Sequence, residues 1–172
     1  LHIQRMSLAF HDRRRSGMLI YAINAMGDVR MERSGNQRWL VVPSAPDKVW
    51  PMVKEFWQEL GFLVKVELPE AGVMETDWAE NRAKIPQDFV RNTLGRLIDQ
   101  IYSTAERDKF RTRLERTADG TGTEIYISHR GLEEVLKSTG GSTRDSTPVW
   151  QPRASDPELE AEFLRRMMVR FG

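Results

Sequence analysis

Lys109-Phe110-Arg111-Thr112-Arg113-Leu114-Glu115 and Glu124-Ile125-Tyr126-Ile127-Ser128-His129-Arg130 are the two stretches that decide the fold. In the first, Phe110, Thr112 and Leu114 alternate with charged neighbours; in the second, Ile125, Ile127 and His129 alternate with Glu124, Tyr126, Ser128 and Arg130. Successive side chains of a strand point to opposite faces, so this period of two predicts two long strands with one buried face each. Ala118-Asp119-Gly120-Thr121-Gly122 lies between them and carries the residue types of a hairpin connection. An antiparallel pair with one solvated face needs a layer packed on the other.

Outward from the hairpin, the chain supplies that layer. Trp39-Leu40-Val41-Val42, closed by Pro43, reads as a first strand. Pro46-Asp47 opens a helix with Val49, Val53, Phe56 and Leu60 on one stripe and Trp50 and Trp57 beside it. Gly61 stands where a helix C′ glycine belongs. Phe62, Val64, Val66 and Leu68 alternate with Leu63, Lys65 and Glu67, which predicts a half-buried second strand; Met74, Thr76 and Trp78 form one face of a third. After Pro86, the residues Val90, Leu94, Leu97, Ile98 and Ile101 recur at helical spacing. Lys137 to Thr147 is rich in Ser, Thr and Gly and reads as a mobile loop, after which Val149-Trp150 rejoins the sheet. Ser155-Asp156-Pro157-Glu158 is a capping-box sequence. It opens a helix with Leu159, Phe163, Leu164, Met167 and Met168 on one side and a Glu162/Arg166 pair on the other. The expectation is an α+β domain over residues 37–172: an antiparallel sheet with two main amphipathic helices packed on one face, the helix-grip arrangement. Residues 1–36, with Arg13-Arg14-Arg15, read as an N-terminal extension that is partly disordered or foreign to the native protein.

Composition narrows the function. The 26 basic residues face 25 acidic ones, a net charge of +1, which argues against a nucleic-acid partner. With no cysteine, disulfides, thiolate nucleophiles, zinc ribbons and iron–sulfur clusters are excluded. No apolar run approaches the ~18 residues a membrane span needs. The chain begins at Leu1 without a signal peptide, so targeting information was removed or lies upstream.

Catalytic groups are scarce. His129 shares a face with Ile125 and Ile127 and reads as a buried structural histidine; no G-x-S-x-G elbow accompanies it. Glu75 and Asp77, two apart on a strand, read as solvated charges and not as an acid–base pair. No phosphate-binding glycine motif occurs. The basic run from Lys109 to Arg116 reads as a solvated outer face, and Trp39, Trp50, Trp57 and Trp78 as core. The expectation is therefore no catalytic residue, no cofactor and no metal. Interaction residues are a different matter. The stretch Glu80 to Tyr102 interrupts a simple sheet, and an insertion of that length points to function. Asn81, Arg82 and Lys84 precede Pro86 in an exposed extended stretch, and Arg96 lies on the polar side of the short helix. The competing reading is a cap made by Leu94, Ile98 and Ile101. Trp150, beside the mobile loop and before Gln151-Pro152, reads as an exposed contact aromatic.

Several motifs also resemble a known family. Arg38-Trp39-Leu40-Val41-Val42, Glu75-Thr76-Asp77-Trp78, Glu80-Asn81-Arg82-Ala83-Lys84-Ile85-Pro86, Glu106-Arg107-Asp108-Lys109-Phe110-Arg111-Thr112-Arg113, Glu124 to Gly131 and Val149-Trp150-Gln151-Pro152-Arg153 resemble the N-terminal helix-grip domain of the BamC (NlpB) family, over about residues 31–171. The resemblance implies a lipoprotein of the outer-membrane β-barrel assembly machinery in Gram-negative bacteria, acting as a non-catalytic accessory scaffold. It also implies a lipid anchor in the full-length protein, contact with the lipoprotein BamD through an extended N-terminal segment, and a second helix-grip domain. The chain lacks the lipidated cysteine, its residues 1–30 do not match the BamD-binding segment, and it holds one of the two domains. A different class of function stays open on the same fold: a carrier for an apolar ligand or lipid, with Met74, Trp78, Phe163 and Met167 around a cavity of several hundred Å³. An enzyme on this fold is the third reading.

Overall fold

The computed structural model describes residues 28–79, 105–138 and 146–172, and in it the two alternating stretches are the central strands. We number the strands β1 Arg30–Ser34, β2 Gln37–Val42, β3 Val64–Leu68, β4 Val73–Thr76, β5 Glu106–Arg116, β6 Thr123–Ser138 and β7 Ser146–Arg153, and the helices α1 Pro46–Glu59 and α2 Pro157–Phe171. All strand pairings are antiparallel, in the order β1-β2-β6-β5-β4-β3, with β7 added to β6. β5 and β6 stay in register from Glu106↔Glu133 to Arg116↔Thr123. Their inward side chains Phe110, Thr112, Leu114, Ile125, Ile127 and His129 are all buried.

Both helices cover that inward face. α1 contributes Val49, Met52, Val53, Phe56 and Trp57, and α2 contributes Leu159, Phe163, Leu164, Met167 and Phe171. Trp57 sits at the centre, with its ring 5.1 Å from both Phe110 and Phe163 and its indole N–H donated to Thr112 Oγ1 at 2.8 Å. That bond satisfies a buried hydroxyl and a buried donor together, which lets a polar pair sit in an apolar core. α1 ends as its sequence demands. Gly61 adopts φ +88°, its N–H bonds Gln58 O, and the Phe62 N–H bonds Trp57 O. The Phe62 ring then packs on Trp57 at 5.3 Å, so the cap also fixes a core contact.

Several expectations change. β1 takes residues 30–34, inside the stretch assigned to the N-terminal extension, and pairs with β2 through a tight turn at Gly35, so the division after residue 36 falls within a hairpin. Residues 1–27 lie outside the described residues. β3 is not half-buried: among the described residues it is an edge strand, with Val66 37% and Leu68 52% exposed, while Phe62, just before it, is in the core. β4 ends at Thr76, and Trp78 leaves the inward face. Trp39 and Trp50 are half-buried, so Trp57 is the tryptophan that fills the core. Lys137, Ser138, Ser146 and Thr147 are paired strand residues of β6 and β7, which leaves 139–145 as the undescribed connection. The helix expected after Pro86 also lies outside the described residues.

The cap of α2 is also reassigned. Asp156, not Ser155, is the N-cap, and its carboxylate accepts from the N–H groups of Glu158 and Leu159 at 3.0 Å each. Asp156→Ala is expected to cost about 1 kcal/mol in unfolding free energy, and Ser155→Ala a few tenths at most. Urea unfolding of the two variants checks the assignment, and a larger loss from Ser155→Ala would reverse it.

Candidate functional site

The sheet offers polar chemistry in two places. The first is buried. β6 is flanked by β2 at Thr123–Ile125 and by β7 at Gly131–Ser138, so among the described residues 126–130 lack a strand partner on that edge. α2 fills the split. Glu160 Oε1 accepts the His129 backbone N–H at 2.8 Å, where a neighbouring strand would otherwise do so. The His129 ring is 0% exposed, and both its nitrogens are engaged. Nδ1 accepts the Asp156 backbone N–H at 2.9 Å, and Nε2 meets Asp108 Oδ1 at 2.6 Å. An accepting Nδ1 places the proton of the neutral ring on Nε2, pointing at the carboxylate. Arg153 also bonds Asp108, and its side chain lies across Gly131, where a Cβ would stand 2.6 Å from Arg153 Cγ. The cluster therefore ties β5, β6, β7 and the start of α2 together. An aspartate–histidine pair is a familiar catalytic element, but here the ring nitrogen that would serve a nucleophile holds a backbone amide. Among the described residues no group of three His, Cys, Asp or Glu side chains is placed to hold a metal, and no helix is long and apolar enough to cross a membrane.

The second place is the face turned away from the helices. β5 presents Arg107, Lys109, Arg111 and Arg113 there, and Arg130 of β6 lies opposite Lys109. Glu75 is not the solvated charge expected: its side chain is 11% exposed and bonded to Lys109 Nζ at 2.7 Å and Arg111 Nε at 3.0 Å. Burial pushes the Glu75 carboxyl up, but hydrogen bonds and charge from Lys109 and Arg111 outweigh it and hold the group below the ordinary glutamate range. A lowered folded-state pKa contributes stability that is present above the unfolded pKa and lost as pH falls through the folded one. Glu75→Gln should therefore destabilise the protein at neutral pH and flatten the decline of its thermal midpoint below about pH 4. An acid limb as steep as that of the unsubstituted chain would exclude the role.

Aromatic rings lie among these cations. The guanidinium of Arg107 is 4.2 Å from the Trp150 ring centre, Lys109 Nζ 4.9 Å from Trp78, and the guanidinium of Arg113 4.7 Å from Tyr126. Trp39 stacks on Tyr126 with centroids 5.7 Å apart. Burial and then the Glu124 carboxylate, which accepts the phenol proton at 2.8 Å, push the Tyr126 hydroxyl up to about 12. A groove of about 540 Å³ opens beside this array, with Trp78, Leu132 and Pro152 on its walls and Lys109, Arg130 and Arg153 among its polar groups.

A family model described as the outer membrane protein assembly factor BamC-like N-terminal domain matches residues 22–172. The chain belongs to this family. The BamC-like domain is 66% identical over 143 residues to an outer membrane protein assembly factor BamC of Accumulibacter regalis, covering 83% of the chain and 36% of the relative. It is 64% identical over 148 residues to the protein of the same name from Thiobacillus denitrificans, covering 86% and 39%. An uncharacterized protein of Neisseria meningitidis serogroup B is 49% identical over 152 residues, covering 87% and 37%. The chain thus spans less than two fifths of the length of these relatives.

Of the interaction residues read from the sequence of this BamC-like domain, Trp150 is half-buried on β7 under Arg107. Asn81, Arg82, Lys84 and Arg96 lie outside the described residues. Sequence reasoning missed the pairing of cations with rings, because the rings come from strands distant in sequence. The available signal was the unbroken alternation of Arg107, Lys109, Arg111 and Arg113.

Proposed function

We propose that this domain is a non-catalytic accessory scaffold in the assembly and insertion of β-barrel proteins into the outer membrane, acting through protein–protein contact. The family match over residues 22–172 carries the reading, together with two relatives named as BamC assembly factors. The resemblance of the sequence motifs extends the proposal: the full-length protein is held at the outer membrane by a lipid anchor, and its chief partner among the machinery's subunits is BamD. The engagement of both His129 ring nitrogens supports a structural role for that residue. The carrier reading is disfavoured by the interior: Met74, Phe163 and Met167 are at most 1% exposed, and the groove beside Trp78 has none of them on its wall. Asn81, Arg82, Lys84 and Arg96, with Trp150, remain the proposed contact residues of the sequence reading.

The test is co-purification of this chain with purified BamD and the other machinery subunits. Retention of at least one subunit is expected. Reversing the charges of Arg82, Lys84 and Arg96 should weaken it while shifting stability by no more than about 0.5 kcal/mol. Retention of no subunit would refute the scaffold reading for this domain, and unchanged retention by the charge-reversed variant would move the contact elsewhere.

A further inference from the structure

The sheet face opposite the helices has the wrong composition for a surface that meets water alone. Solvated sheet faces carry polar and charged side chains, whereas this one sets Trp39, Tyr126, Trp78 and Trp150 among the cations of β5. No layer covers it among the described residues. Tryptophan, tyrosine and arginine are the side chains that concentrate in the energetic centres of protein interfaces. Charge decides what the face accepts. Along its middle, Arg107, Lys109, Arg111, Arg113 and Arg130 stand against Glu75, which is spent on Lys109 and Arg111. Glu115, paired with Arg113 at 3.0 Å, and Glu124 lie at one end, Glu134 lies at the other, and Glu32 beside Trp39 is paired with Arg30 at 2.9 Å. Arg130 is exposed and forms no ion pair among the described residues. Beside it, the groove joins apolar walls to cations, the arrangement that seats an apolar side chain flanked by carboxylates.

We propose that this face docks an acidic protein segment, with an apolar anchor side chain in the groove between Trp78, Leu132 and Pro152 and flanking carboxylates on Arg111, Arg113 and Arg130. The proposal rests on the scaffold reading and names the chemistry of its partner. A second copy of the chain is the wrong occupant, because it would set these cations against each other. An anionic membrane is disfavoured by the rings, which lie beneath cations and do not stand out to insert between lipids.

The experiment titrates the full chain, followed by its tryptophan fluorescence, with a ten-residue peptide of Asp and Glu around a central Leu. Parallel arms use the same peptide with Lys for every acid, and phosphatidylglycerol vesicles. Saturable binding of the acidic peptide is expected, weakened about tenfold or more in R111Q/R113Q/R130Q. The melting temperature of that variant is measured alongside, and a single R130Q variant, which breaks no ion pair of the described residues, should weaken binding in the same direction. No binding of the acidic peptide, equal binding of its lysine counterpart, equal binding by both variants, or binding of vesicles in its place would each overturn the proposal. Failure of the chain to co-purify with machinery subunits while it still binds the acidic peptide would count against the scaffold reading and leave the face standing.

Discussion

Phe163→Ala is expected to lower the unfolding free energy by about 3–5 kcal/mol. Phe163 is 1% exposed, and its ring lies 4.5 Å from Phe110, 5.1 Å from Trp57 and 6.1 Å from Phe62. Those three rings come from β5, α1 and the segment after α1, so the truncation opens a void at the point where every layer meets. The neighbours cannot collapse into it freely. Trp57 is tied to Thr112 by its indole N–H, and Phe62 is held by the cap of α1. Val169, on the same helix and 79% exposed, is the control, with an expected change of about 0.5 kcal/mol or less for Val169→Ala. Urea unfolding of both variants measures the difference. A loss under about 1 kcal/mol at Phe163 would mean that α2 does not close the core.

Asp108→Ala is expected to cost a similar amount, about 3–5 kcal/mol, for an electrostatic reason. The Asp108 side chain is 1% exposed and serves His129 Nε2 and Arg153 together. Its removal leaves the His129 N–H without an acceptor in an apolar surround and leaves Arg153 with the more distant Glu106, at 3.7 Å. An unpaired group in the interior loses its hydration without compensation. If that mechanism operates, Asp108→Ala/Arg153→Ala should destabilise by less than the sum of the single changes, because the second removal takes away the orphaned charge. Strict additivity in a double-mutant cycle would show the two side chains to be energetically independent.

Local pattern alone determined the central hairpin, both amphipathic helices and the glycine that ends the first. In each case the residues concerned are close in sequence and the period is that of the element itself. The motifs from Arg38 to Arg153 likewise made the family legible before any coordinates. The failures share a cause, which is that burial depends on what lies across a gap in sequence. Phe62 to Leu68 alternates, yet among the described residues β3 is the last strand of the sheet and pairs with β4 alone, with a register shift between Val64 and Val66, so Val66 and Leu68 of the apolar set meet water. Lys137 to Thr147 has the composition of a loop, yet its ends pair, because the ladder begun at Gly131↔Arg153 continues to Ser138↔Ser146 once the strands are aligned. Glu75 is an ordinary surface residue by sequence. Strand register sets it beside Lys109 and Arg111, residues more than thirty positions away, and low exposure there strengthens the pairing. His129 could be read as buried from its face. Of its two ring partners, Asp108 comes from the register of β5 against β6, whereas the Asp156 N–H and the Glu160 carboxylate are brought there by α2, packed into the split between β2 and β7. Periodicity fixes which side of an element is apolar; tertiary packing decides which of those sides is covered, and which charges find each other at its edge.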